Sequence, residues 1–226
     1  MYKICLDYGH GGSDPGAVYK GRKESDDNLN IGVEVAKELR RHGVKVGETR
    51  TSNATVSLND RSRFENRNTY DYFISFHRNA FQPEKAKGVE TFTYLNAGAK
   101  SKGLAHKIQD GLVELGFVNR GVKQANFHVL RETKAPAILI EIGFIDSSGD
   151  NSLFDSKRNE IIRSITKAIL AQIGLIYIEP SSTTQPIGKQ SYYRVMAGSF
   201  KVKENAENQV QKLKKAGFKD AYIKYE

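Results

Sequence analysis

Over the first 176 or so residues, short apolar runs alternate with stretches of helical period, and this alternation most restricts the fold. Residues 2–6, 44–46, 72–76, 89–95, 127–130 and 137–142 read as strands. Residues 29–39, 58–64, 103–115 and 161–173 read as helices, the third with Leu104, Ile108, Leu112 and Leu115 on one face. Strands separated by helices predict an α/β domain, a mostly parallel twisted sheet with helices on both faces.

The pattern breaks after Ile178. A polar, proline-marked stretch, EPSSTTQPIGKQ, reads as a linker spanning residues 177–190 between a catalytic-sized domain (1–176) and a small module (191–226). Within the module, residues 192–197, 204–215 and 221–225 read as strand, helix and strand. Val202, Ala206, Val210 and Leu213 form the helix's only apolar face, so this β-α-β unit is short of core. Residues 189–226 hold nine Lys or Arg against four Asp or Glu, more than half of the chain's net charge of +9. Such a tail is drawn to an acidic polymer, nucleic acid or an anionic envelope.

No apolar run nears the roughly 20 residues of a membrane span. The start, MYKICLDYGHGG, lacks a basic leader and cleavage site, so no signal peptide is expected. Cys5 is the one cysteine, which excludes an internal disulfide and a cysteine-rich metal site, and it reads as a buried strand residue.

Polar residues of hydrolytic type fall at the predicted strand ends. His10 follows the first strand, Glu24 lies in the loop after it, His77 follows residues 72–76, and Glu141 closes residues 137–142. Two histidines and a carboxylate are donors that leave one position on zinc open for water, and a further acid can move that water's proton. Ligands of open α/β folds gather beyond the carboxyl ends of strands, so these distant residues can meet at one rim. Each also has an ordinary reading: a turn histidine at His10, a helix-start carboxylate at Glu24, a backbone-satisfied histidine at His77. Glu141, set amid Ile138, Leu139, Ile140, Ile142 and Phe144, is costly to bury without a partner. Asp7 is placed to hold the second imidazole nitrogen of His10.

Several ordered motifs then coincide: DYGHGG at residues 7–12 with DPGA at 14–17, Glu24, Thr49-Arg50, residues 58–61, SFHRNA at 75–80, and residues 136–144. Over residues 2–176 the chain resembles the zinc-dependent N-acetylmuramoyl-L-alanine amidases of the third amidase family, which include autolysins and phage endolysins. The resemblance implies zinc on His10, Glu24 and His77, and Glu141 as acid/base. It also implies hydrolysis of the amide joining the lactyl group of muramic acid to L-alanine in peptidoglycan. Arg78 departs from the small residue common in the family, and is expected to alter the groove or bind a stem-peptide carboxylate. Asn79 is expected to close a turn, and Arg50 and Arg61 to pin loops. His42 and His106 read as ordinary helix residues, whereas the neighbourhood of His128 faces the implied groove.

The tail, from Tyr192-Tyr193-Arg194 through Phe218, resembles the sporulation-related repeat of cell-wall hydrolases, which implies binding to glycan strands. Only one half of that repeat is visible, so a homodimer pairing two tails is expected. A zinc peptidase cutting within the stem peptide and a non-catalytic wall-binding protein are the alternatives, and nucleic-acid binding lacks a specific motif. Without a leader, the expected setting is synthesis in the cytoplasm and action on the wall after lysis-linked release, in a phage-infected host or a sporulating mother cell.

Overall fold

A computed structural model of the chain describes residues 1–180, 197–219 and 221–223. Contacts divide it into two units, Met1–Glu179 and Pro180–Glu226. In the first, the elements in chain order are β1 (Lys3–Tyr8), β2 (Val18–Tyr19), β3 (Arg22–Lys23), α1 (Glu24–Arg41), β4 (Lys45–Glu48), α2 (Leu58–Asn66), β5 (Tyr72–Asn79), β6 (Val89–Thr93), α3 (Ala99–Val113), β7 (Asn119–Gln124), α4 (His128–Arg131), β8 (Ala137–Phe144), α5 (Ser148–Ser156) and α6 (Arg158–Gln172).

Six strands form one sheet in the order β4-β1-β5-β8-β6-β7. Every neighbouring pair is parallel except β6 and β8, so the sheet is mixed but mostly parallel, with helices on both faces. The two faces differ in how well they are covered, and the period of two along each strand decides what faces where. Ile4, Leu6, Tyr8, Ile74, Phe76, Ile138, Ile140 and Ile142 point to one side, where Ile31, Val35 and Leu39 of α1, Leu104, Ile108 and Leu112 of α3, and Ile161, Ile165 and Ile169 of α6 seal them. The alternate residues Cys5, Phe73, Ala137 and Leu139 point to the other side. Only a small cluster with Val129, Leu130, Ala135, Phe64 and Tyr70 covers them. Cys5 is buried as expected, and burial pushes its thiol up, away from reactivity.

Three local expectations are corrected. Residues 127–130 are no strand: His128–Arg131 form one helical turn, α4, which buries the adjacent pair Val129 and Leu130. Four apolar residues are too few for periodicity to separate the two states. Residues 119–124 form an unforeseen strand, β7, at the sheet edge; it pairs only with β6 and needs no alternating apolar face. Glu24 is not in a loop but is the first residue of α1.

In the second unit the helix is α7 (Lys203–Lys215), none of whose residues is fully buried. Residues 192–196 and 224–225, which include Tyr193, most of the first expected strand and the end of the second, lie outside the described residues, as does most of the expected linker. Residues 221–223 are irregular. Among the described residues, no helix is long and apolar enough to cross a membrane.

On the thinly covered face, Asp7 of β1 is fully buried and bonded by Arg61 Nη1 (2.7 Å), Thr49 Oγ1 (2.7 Å) and Ser75 Oγ (2.7 Å). Burial works to raise its carboxyl, but Arg61 and the two hydroxyls outweigh that and hold it below its ordinary value. Replacing Asp7 by Asn leaves Arg61 buried without its countercharge and should cost about 3–5 kcal/mol in urea unfolding at neutral pH. A depressed native pKa stabilises fully above the unfolded value and is lost as pH falls. The gap between wild type and Asp7→Asn should therefore narrow as pH drops below about 4. A gap constant from pH 7 to pH 3 would show that the ion pair contributes nothing.

Candidate active site

The loop leaving β1 turns back on itself within four residues. His10 has a φ of +61°, in the left-handed region that non-glycine residues seldom adopt, and Gly11 and Gly12 follow with positive φ. The turn is closed by Gly11 N to Asp14 O (2.7 Å) and Asp14 N to Gly11 O (3.1 Å). It is held from beneath by two buried arginines. Arg61 donates to Tyr8 O and His10 O, and Arg50 to Tyr8 O, Gly9 O and Ser25 O. This closure brings Asp14 Oδ2 to 2.8 Å from His10 Nδ1. The partner of His10 is thus Asp14 and not Asp7, whose oxygens are taken by Arg61, Thr49 and Ser75.

His10, Glu24 and His77 come together, each offering one ligand atom, with these atoms all within 4.8 Å of one another. Glu24 Oε1 lies 3.3 Å from His10 Nε2 and 2.9 Å from His77 Nδ1. Backbone N–H groups steady the Glu24 carboxylate: Ala17 N donates to Oε2 (3.0 Å) and Arg78 N to Oε1 (3.1 Å). Burial alone would raise this carboxyl; hydrogen bonds and charge from His10 and His77 reverse the sign and hold it far below the carboxylate range. Two histidines and a carboxylate converging at this spacing, with Asp14 orienting one ring from behind, fit a divalent metal of the zinc type.

Glu141 stands opposite His77 in the β5/β8 register, and Glu90 opposite Glu141 in the β6/β8 register. His77 and Glu141 occupy odd positions of parallel, in-register strands, so both side chains leave the sheet on the same face. One oxygen of Glu141, Oε2, is buried without a hydrogen-bond partner among the described residues. Burial, then the charges of Glu24 and Glu90, push its carboxyl well above its ordinary value, with Arg78 opposing. Glu90 was not singled out from the sequence. It is buried, accepts from Asn79 Nδ2, Arg120 Nε and Lys123 Nζ, and neutralises two cations beside the site. An acid between Val89 and Thr91 in an apolar strand was the signal that could have found it.

A cleft of about 470 Å³ opens on this face, lined by His10, His77 and Glu141 and walled by Val56, Leu58, Phe127, Val129 and Leu139. Arg78 does not enter it. One position after His77, its side chain leaves the sheet on the opposite face, where it is buried and bonded to Asp27 Oδ2 (2.5 Å) and Asn151 Oδ1 (2.7 Å) and lies over the Phe154 ring. Its expected roles in the groove or on a stem-peptide carboxylate are therefore corrected. Asn79 accepts from Ala80 N and donates to Glu90, a turn-closing role. His42 caps α1 through Glu38 O, and His106 is exposed on α3.

Gly9 has no room for a side chain: a Cβ there would stand 2.2 Å from Cε1 of His77. Gly9→Ala must therefore push the His77 ring aside. We expect it to weaken metal affinity by about 10- to 100-fold, as loss of a supporting contact does, in a chelator competition assay on protein whose circular dichroism is unchanged. Wild-type affinity in that variant would show that His77 is no ligand.

Comparison with known proteins agrees with this geometry. Residues 4–171 match the N-acetylmuramoyl-L-alanine amidase family model, and residues 164–224 match the SPOR domain, beginning within α6. The chain is 35% identical over 221 residues to a sporulation-specific N-acetylmuramoyl-L-alanine amidase of Bacillus subtilis (96% of this chain, 83% of the relative). It is 33% identical over 228 residues to the N-acetylmuramoyl-L-alanine amidase CwlM of Bacillus licheniformis (100% and 85%). Among solved structures, an N-acetylmuramoyl-L-alanine amidase from Clostridium difficile superposes with a TM-score of 0.73 at 33% identity, covering 76% of this chain and 97% of that one. The chain belongs to the N-acetylmuramoyl-L-alanine amidase family.

Proposed function

We propose that the chain hydrolyses the amide between the muramic acid lactyl group and L-alanine of peptidoglycan, with zinc held by His10, Glu24 and His77 and with Glu141 as the proton carrier. The observation that carries this reading is the convergence of a His-Glu-His donor set with the unpartnered Oε2 of Glu141 on one face, in a chain of this family. Zinc in such a site supplies a Lewis acid for the scissile carbonyl and lowers the pKa of water.

The chain's own groups do the rest. Asp14 holds Nδ1 of His10, which fixes the tautomer that presents Nε2 to the cluster. The N–H groups of Ala17 and Arg78, one on each oxygen, orient the Glu24 carboxylate. Oε2 of Glu141, having no partner among the described residues, is free to take a proton from the attacking water and return it to the departing amine of L-alanine. The apolar walls of the cleft restrict competing water around that exchange.

The test is mass spectrometry of digested peptidoglycan. Wild type should release intact stem peptides and leave free lactyl ends, whereas internal peptide fragments would mark a stem-peptide peptidase. Zinc-stripped protein should be inactive and regain activity with zinc. Glu141→Ala should lose at least about 100-fold in rate while keeping its zinc content by elemental analysis; undiminished hydrolysis in that variant rejects its role.

We further propose that the tail binds the wall and joins two chains. The supporting observations are the SPOR match, the excess of Lys and Arg after residue 189, and the exposed Val202, Phe218, Tyr222 and Ile223 in a unit whose helix buries nothing fully. Sedimentation of the full chain should give the dimer mass, and Phe218→Ser should return the monomer without loss of activity on soluble substrate. A monomeric wild type at tens of micromolar sinks the dimer.

A further inference from the structure

The cleft beside the candidate metal cluster is lined by polar groups that are almost all committed elsewhere. Asp7 and Arg61 are spent on each other, on hydroxyls and on backbone carbonyls. Asp14 takes His10 and Gly16 N, and Thr55 Oγ1 takes Ser13. Ser57 Oγ caps α2, accepting from Asp60 N and donating to Asp60 Oδ2. His128 differs. It lines the cleft from the first residue of α4 and is half-buried, and only Nε2 of its ring is engaged, 3.2 Å from Ser62 Oγ.

The surroundings of that contact bear on which nitrogen carries the proton. Ser62 Oγ also lies 3.1 Å from Asn59 O and 3.3 Å from Leu58 O, both acceptors only, so its hydroxyl hydrogen goes to the helix backbone. Its lone pair is left to accept from His128, which places the ring hydrogen on Nε2. Nδ1 is then a lone-pair acceptor, with no partner among the described residues.

We propose that His128 is a substrate-binding residue, whose Nδ1 accepts a hydrogen bond from a peptide N–H of the stem that follows the scissile amide. The surrounding walls, Val56, Leu58, Phe127, Val129 and Leu139, suit the methyl and methylene groups of a peptide better than the hydroxyls of a glycan. Ser62 acts one step behind, as a positioning residue that holds the tautomer. The assignment rests on the amidase reading, since it requires the stem peptide to lie in this cleft.

The experiment is steady-state kinetics on a soluble muropeptide carrying several stem residues. His128→Leu should raise KM about tenfold, the value of one hydrogen bond, with kcat within about twofold. His128→Asn, whose amide oxygen can stand where Nδ1 does, should recover KM to within about threefold. Ser62→Ala should raise KM by a smaller factor at unchanged Tm. On a substrate truncated after L-alanine the His128→Leu penalty should vanish; if it persists there, the donor is not a stem N–H beyond the scissile amide and the stem assignment is overturned. An unchanged KM in His128→Leu, or no recovery in His128→Asn at wild-type Tm, overturns the acceptor role altogether. Wild-type protein that fails to cleave the muropeptide would instead refute the amidase reading itself.

Discussion

Two guanidinium groups, Arg50 and Arg61, lie buried beneath the loop that carries His10, with one buried carboxylate, Asp7, bonded to them through Arg61 alone. So much positive charge would be untenable in an apolar interior. It is tolerated because the loop turns its carbonyl oxygens inward: that of Tyr8 accepts from both side chains, that of Gly9 from Arg50 and that of His10 from Arg61. The dependence runs both ways, for the same bonds keep His10 in a left-handed conformation that it would otherwise leave. Arg50 also bonds Ser25 O in the first turn of α1, so the element bearing Glu24 is fastened to the element bearing His10. The spacing of the candidate metal ligands thus follows from how buried charge is neutralised.

The choice of face is the second determinant. Three long helices, α1, α3 and α6, seal one side of the sheet. The other side has only the nine-residue α2 and the four-residue α4. Alternation along β1, β5 and β8 sends Asp7, Ser75, His77 and Glu141 to this less covered side, the deeper pair joined to each other and, through Asp7, to Arg61, the outer pair facing the cleft. A register slip of one residue in β8 would send Glu141 into the packed side and bring Ile140 or Ile142 to the rim.

Much of this was legible because it rests on local pattern. An acid flanked by Ile140 and Ile142 advertises a buried carboxylate, and histidines directly after apolar runs advertise a strand-end rim. What stayed hidden depends on contacts that spacing does not encode. Asp7 and Asp14 stand three and four residues from His10, on either side. Only the left-handed turn, closed by the Gly11 and Asp14 backbones, decides that the later one reaches the imidazole. The edge strand β7 was missed because a strand with one neighbour needs no apolar face. The run 127–130 was misread because four apolar residues satisfy either period, and the sheet already had β6 beside β8.

Arg78 and Glu24 show why a bland and a functional reading of one residue need not compete. Lys23 provides no side-chain cap at the start of α1, so its first turn depends on acidic residues, Glu24, Asp26 and Asp27, against the helix dipole. Arg78, projecting opposite to His77, binds Asp27 from behind and Asn151 of α5, while its own backbone N–H donates to Glu24. Burial draws this guanidinium down to about 10, with Asp27 opposing, so it remains a cation at neutral pH. One residue of β5 therefore steadies the helix start electrostatically and aims the Glu24 carboxylate by hydrogen bond. Glu24 in turn favours the helix terminus and completes the donor set with the same charge. A small residue at position 78 would keep the backbone bond and lose the charge that fixes Asp27, so the electrostatic support of the helix start would have to come from Arg22, which already bonds Asp27 at 2.6 Å.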